Sequence, residues 1–390
     1  MESFNPNKLL KEQFVSYQTG SSMLEIFFLI TALSVLILIR HCIGFNCPDS
    51  GSLKKDDTGG AKGKNLKAYI MALIVDYICI VVPYILLLTV SAQWIYGNTF
   101  LMIFLLLYLI AYKRSSFLQE VGMDSIKYNV SSYRVSMMIV TCFCILAVDF
   151  KIFPRRYAKA EFYGTSLMDL GVGSFVVANS LVSRHARGIS NMAMKAAFRS
   201  TSPLIILGFA RLISTSSVNY QVHVGEYGVH WNFFFTLAAV AILSSVVNIS
   251  TSYFGILGSL ILIGYQAVLS FGLNVYMLSE ARGTDIISQN KEGIFSIFGY
   301  WGMYLVGVQI GSYLFFGGSA GPSSRSMKWT RARVLALCLL FWSVTLLLDK
   351  YVERVSRRMC NLAYVSLVLA TNLQVTKSIF AAREHELYFM

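Results

Sequence analysis

Apolar runs long enough to cross a bilayer recur along the whole chain, and no other feature restricts its fold as strongly. A hydrocarbon core about 30 Å thick takes about 20 consecutive apolar residues per helix. Runs of that kind fall near 23–45, 68–91, 94–112, 134–150, 165–183, 202–217, 231–247, 254–278, 294–316, 334–349 and 360–377. They are continuous rather than alternating, which excludes barrel strands. The expectation is therefore an all-α protein, a polytopic transmembrane helical bundle of about eleven spans. Composition agrees: 55% of the 390 residues are hydrophobic and 14% charged, against roughly 25% charged in soluble domains. The expected organisation is a short N-terminal segment (1–22), a transmembrane domain (23–377) interrupted by a flexible polar loop (46–67), and a polar tail (378–390).

Lys and Arg set the orientation of such a bundle, because basic residues are retained on the cytosolic side. With the N-terminus lumenal, the cytosolic side holds 20 of the 33 basic residues and the lumenal side 12, with Arg211 inside a span. The net charge of +13 thus reflects topology and calls for no nucleic acid. Two lumenal loops run against the rule. One carries Lys151, Arg155, Arg156 and Lys159, the other Lys350, Arg354, Arg357 and Arg358. Such exceptions suit either an anionic ligand or side chains snorkelling to lipid phosphates. The seven cysteines show no zinc spacing and read as small apolar fillers.

Chemistry in a bilayer must come from polar groups held against it. The densest cluster runs from Asp149 through Arg155, Arg156, Lys159 and Glu161 to Asp169. A carboxylate at a helix C-terminal end, where the dipole disfavours it, can accept a proton from a hydroxyl, and a nearby ammonium can steady developing negative charge. A structural ion pair tying loop to helix would use the same residues. Three further polar sets fall on the same side: Tyr220, Gln221, His223, Glu226, His230, Trp231 and Asn232; then Asn290 with Lys291; then Arg357, Arg358 and Asn361. Two histidines seven residues apart make a weak metal signature, so no metal site is expected. No His is followed at the fifth position by Asp, and His230 stands as an alternative base.

These motifs carry a resemblance. Val148-Asp149-Phe150, Phe153-Pro154-Arg155-Arg156, Ala158-Lys159, Glu161 and Tyr163-Gly164-Thr165 resemble the signature of the glycosylphosphatidylinositol (GPI) inositol acyltransferases, the phosphatidylinositol-glycan class W and fungal GPI-anchored wall transfer proteins. Lys11-Glu12, Gly208 with Arg211 through Ser214, Tyr220 through Phe235, Asn290 through Gly293, and Arg357-Arg358 with Asn361 through Tyr364 extend it from about residue 8 to about 375. The resemblance implies a multi-pass endoplasmic reticulum enzyme. It would move a fatty acyl chain, typically palmitoyl, from acyl-CoA to the inositol of glucosaminyl-phosphatidylinositol, with no further cofactor. Asp149 would then be the general base and Lys159 the support for the thioester oxyanion, while Arg155 and Arg156 would suit the lipid phosphate. The chain looks shortened at its C-terminal end relative to the family. A transporter or lipid-moving protein is the alternative, and it would need polar groups along a path through the membrane.

Overall fold

The computed structural model describes residues 10, 13–14, 16–43, 66–112, 125–189, 194–217, 224–247, 249–316 and 327–382. Eleven long helical segments occupy them, one for each expected span. They are α1 (Met23–Ile43), α2 (Leu66–Asp76, a π-helical turn Tyr77–Val81, then Val82–Leu88), α3 (Ile95–Tyr112), α4 (Ser125–Ala147), α5 (Leu167–Leu181) and α6 (Met194–Ser217). Then come α7 (Phe233–Val246), α8 (Phe254–Val268, continued through the π-turn Leu269–Leu273 to Asn274–Leu278), α9 (Lys291–Gly311, ending in the π-turn Ser312–Phe316), α10 (Met327–Tyr351) and α11 (Leu362–Ala382).

Among the described residues, eight helices are long and apolar enough to span a membrane by themselves, fewer than the expected eleven. The helix α5 has 15 residues and α7 has 14, so at 1.5 Å per residue they reach only about 21–23 Å. The 21-residue α11 is less apolar, carrying Thr371, Asn372, Gln374 and Thr376, all buried in the protein interior. The expected polar tail overlaps this helix, which continues to Ala382. Most of the expected loop 46–67 lies outside the described residues.

The middle of the bundle is α11. From Val355 to Thr376 nearly every residue is buried, and the helix packs against α1, α4, α5, α9 and α10. Lipid tails give helices no hydrophobic reason to associate, so close packing and interhelical hydrogen bonds must hold them. Asn372 supplies such bonds: its carbonyl accepts from Tyr133 Oη and its amide donates to Ser174 Oγ at 2.9 Å. Gln374 joins Trp342 (3.1 Å) to Thr31 (2.9 Å), and Thr345 donates to Ser366 (3.0 Å). Outward faces carry exposed Phe100, Leu101, Phe104, Leu260 and Leu339, the surface a lipid solvent requires.

Consecutive helices run in opposite directions, so alternate connections share an end. The segments 16–22, 89–94, 148–166, 224–232, 279–290 and 352–361 meet there. Ser21 forms an antiparallel bridge with Thr165, Gly164 N donates to Val355 O at 2.8 Å, and Val229 N donates to Gln289 O at 3.0 Å.

Candidate active site

The loop after α4 supplies the first part of the site. The helix ends at Ala147, and Asp149 lies exposed in the turn that follows. Arg155 braces that turn, its Nη2 donating to the carbonyls of Val148 (2.7 Å), Phe150 (3.0 Å) and Phe153 (3.3 Å). Its guanidinium stacks 3.9 Å over the Phe14 ring. Burial pulls the Arg155 pKa down, and the negative charge of Asp149 pushes back. Arg156 points elsewhere: Nε donates to Glu25 at 2.8 Å and Nη2 to the Ala92 carbonyl at 2.9 Å. Tyr157 Oη donates to the same carboxylate at 2.7 Å. Burial, reinforced by Glu25, raises that phenol above its ordinary range. Glu161 holds the N-terminal segment, accepting from Tyr17 N at 2.6 Å.

A line of alternating charge crosses the bundle end. The Asp169 carboxylate accepts from Arg357 Nε at 2.7 Å, from Ser166 Oγ at 2.7 Å and from Ala160 N at 3.1 Å. The other arm of Arg357 lies 3.6 Å from Glu226, and Glu226 takes Lys159 Nζ at 2.8 and 3.0 Å. Asp169 and Arg357 are both 3% exposed, Glu226 20% and Lys159 35%, so the line runs from the interior to an accessible ammonium. Burial alone would lower the Arg357 pKa; Glu226 and Asp169 more than offset it and hold the guanidinium charged. The position of Asp169 follows from local sequence. Ser166 caps α5 by accepting from Asp169 N at 3.1 Å, which sets the carboxylate in the first turn, where the helix dipole favours it.

Glu292, fully buried, anchors a second network. It accepts from Arg282 Nη2 at 2.7 Å and Nη1 at 3.1 Å, and from Arg358 Nη2 at 2.9 Å. Beside it, Lys291 is also fully buried and donates to the Ser279 carbonyl (2.8 Å), the Ser279 hydroxyl (2.8 Å) and the Ala281 carbonyl (3.0 Å).

Other expected residues do local work. Asn290 accepts the backbone N–H of His230 (2.8 Å) and Trp231 (3.0 Å). Asn232 caps α7 and donates to the Gly208 carbonyl at 2.9 Å. Trp231 Nε1 donates to Thr236 at 2.9 Å, and His230 is exposed. Asn361 donates to Glu353 (3.2 Å) and to the Arg354 carbonyl (2.8 Å). Tyr220, Gln221 and His223 lie outside the described residues.

The structure thus gathers Lys159, Glu226 and Arg357 into one network and Lys291 with Arg358 into another. Sequence reasoning placed Asp169 in the densest polar cluster and Glu292 in the Asn290–Gly293 motif without giving either a site role, and it missed Arg282. It also missed Glu25 and Glu353, the latter accepting from Tyr163 (3.0 Å), Asn274 (3.1 Å), Gln266 (2.8 Å) and Asn361. The available signal was a carboxylate within one turn of an apolar run, as at Glu25, Asp169, Glu292 and Glu353.

Comparison with known proteins places this arrangement. The chain is 54% identical over 349 residues to an uncharacterized protein of Arabidopsis thaliana, covering 87% of this chain and 79% of the other. It is 38% identical to the phosphatidylinositol-glycan biosynthesis class W protein of Dictyostelium discoideum, covering 63% of this chain and 58% of that protein. To GPI-anchored wall transfer protein 1 of Aspergillus oryzae it is 42% identical, covering 62% and 53%. The chain therefore spans little more than half the length of these last two relatives. A family model described as GWT1 matches residues 7–388, and the chain belongs to the GWT1 family.

Proposed function

We propose that this chain transfers a fatty acyl group from acyl-CoA to an inositol hydroxyl of glucosaminyl-phosphatidylinositol, at the lumenal face of the endoplasmic reticulum membrane. The observation that carries this reading is the gathering of charged groups at one end of the bundle, ending in the accessible Lys159 on the same loop as the exposed Asp149. Two relatives named for phosphatidylinositol-glycan biosynthesis and GPI-anchored wall transfer support it. Transport would call for charge along a path through the membrane. The buried polar groups at mid-bundle, Asn372, Ser174 and Tyr133, are neutral.

In the proposed reaction the inositol oxygen attacks the thioester carbonyl while Asp149 takes the hydroxyl proton. An ammonium has three N–H donors. Lys159 directs its described contacts to Glu226 alone, leaving donor capacity for the carbonyl oxygen as it becomes an oxyanion. Collapse breaks the C–S bond, and the proton on Asp149 returns to the departing thiolate, giving the ester and free CoA. The Asp169–Arg357–Glu226 line positions Lys159. Membranes carrying the chain, given labelled palmitoyl-CoA and glucosaminyl-phosphatidylinositol, test this. Transfer is expected, and Asp149→Ala should abolish it with insertion intact. Turnover by Asp149→Ala would remove that residue from the base role, and no product from wild-type chain would refute the function.

A further inference from the structure

The two networks differ in their charge balance. In the first, Lys159 and Arg357 face Glu226 and Asp169, two cations against two carboxylates. In the second, Arg282, Lys291 and Arg358 surround Glu292, the one carboxylate paired with this set among the described residues. Lys291 lies in the field of Glu292, Arg282 and Arg358. Glu280 and Asp285, on the same connecting segment, are exposed, and Asp285 is occupied in capping the turn Ile286–Gln289. Lys291 and Glu292 are fully buried, and Arg358 is 6% exposed. Excess positive charge at this depth is costly unless an anion shares the site.

Arg358 adds a second, independent observation. Its Nη2 donates to Glu292 and to the Met277 carbonyl at 3.2 Å, but its Nε has no hydrogen-bond partner among the described residues. A buried donor left unsatisfied calls for a partner that shares the site. The guanidinium rests on the short turn Val224–Tyr227, where a Cβ on Gly225 would stand 3.1 Å from Nη1. Glycine there lets the cation lie against the backbone. Arg282, 18% exposed, is the member of the set most open to the outside.

We propose that Arg282 and Arg358 form a phosphate-binding subsite, separate from Arg155 and Arg156, with Lys291 adding its charge from behind while its three donors hold Ser279 and Ala281. Arg156 is held by Glu25 and the Ala92 carbonyl, and Arg155 braces the loop after α4 through Nη2, with Nε and Nη1 left without partners among the described residues. The ligand is a phosphate ester, which under the proposed function is the phosphodiester of the acceptor lipid or a phosphate of the acyl-CoA donor. The detergent-solubilised chain can be titrated with dioctanoyl phosphatidylinositol, with coenzyme A and with dioctanoylglycerol, followed by tryptophan fluorescence. Binding of the phosphatidylinositol alone assigns the subsite to the lipid, and binding of coenzyme A alone assigns it to the donor. Binding of both marks a shared phosphate site.

Arg282→Gln should weaken phosphate binding about tenfold, while Lys151→Gln, on an exposed residue outside both networks, should leave it unchanged. Glu292→Gln should tighten binding about threefold by removing the opposing charge paired with Arg282 and Arg358. A purely structural cluster predicts weaker binding from both. Should Glu292→Gln fail to fold, the double variant Arg282→Gln/Glu292→Gln keeps the charge excess and should bind within about threefold of wild type. Phosphate ligands binding no better than dioctanoylglycerol, Glu292→Gln weakening binding, or loss of binding in the double variant would overturn the proposal. The readout needs no turnover, so a chain that binds phosphate without transferring acyl groups would sink the proposed function and leave the subsite standing.

Discussion

Substituting Arg357 by Leu tests the reading that a buried ion pair holds the two halves of the bundle end together. The change leaves Asp169, 3% exposed, as a buried carboxylate that keeps Ser166 Oγ and Ala160 N as its donors among the described residues. Breaking such a pair by removing one partner costs about 3–5 kcal/mol. At about 2.1 cal/mol/K per residue, a chain of this length carries about 0.8 kcal/mol/K of unfolding entropy, so the melting temperature should fall by about 4–6 °C. Helices retained in the micelle would reduce that entropy and enlarge the shift. Thermal unfolding of the detergent-solubilised chain, followed by intrinsic fluorescence, measures it. The companion variant Asp169→Leu/Arg357→Leu removes both charges and should recover at least half of the loss, because an apolar pair carries no desolvation debt. A double variant that loses the sum of the two single losses would show the residues to be uncoupled and refute the reasoning.

Three further outcomes follow from the same geometry. Burial and the Glu353 carboxylate push the Tyr163 phenol up to about 12, above the unfolded value of about 10. Its contribution to stability is therefore fully present below pH 10 and is lost as pH rises through 12; melting temperature against pH should fall less steeply in that window for Tyr163→Phe. Gly228 sits at φ 114° with a would-be Cβ 2.5 Å from Asn290 Cα, so Gly228→Ala should destabilise by at least about 2 kcal/mol and release the His230–Trp231 backbone, read as lowered melting and faster local amide exchange. Glu353→Gln would present an amide nitrogen to donors that now meet a carboxylate oxygen, costing about 2–3 kcal/mol; chemical denaturation measures it.

The helices were legible because lipid leaves a backbone few choices. A spanning segment must satisfy its own hydrogen bonds, so each apolar run became a helix, although α4, α6 and α10 begin seven to nine residues before their apolar runs. The span count was less legible, since α5 and α7 are short and their flanking sequences remain apolar. The place of α11 could not be read from its neighbours in sequence. Thr371, Asn372 and Gln374 mark an interior helix, yet their partners Tyr133, Ser174 and Thr31 come from three others. Ion pairing failed for the same reason: Arg357 and Asp169 are 188 residues apart, and Arg156 and Glu25 are 131 apart. Residue type and chain position flagged Lys159, Glu226, Arg357 and Arg358. Local spacing says nothing about which carboxylate each meets.

The adjacent residues Arg357 and Arg358 serve different networks, and that division explains how the turn carrying them is built. Ser356 donates to the Phe162 carbonyl at 2.6 Å, which pins the turn to the loop bearing Lys159. Asn361 closes the far end, its carbonyl accepting from Ser356 N (3.2 Å) and Tyr364 N (3.0 Å) while its amide reaches Glu353. Between these clamps Cys360 takes φ +49°, a reversal that an L-residue adopts only when its surroundings impose it. The turn is thus fixed at both ends. Arg357 is sent toward Asp169 and Glu226, and Arg358 toward Glu292 and Gly225. Any movement that carried Arg357 away from Glu226 would also shift Arg358 across Gly225, because one short rigid turn holds both. The proposed phosphate subsite and the proposed acyl-transfer residues therefore share a single mechanical support, with Glu353 as its fastening.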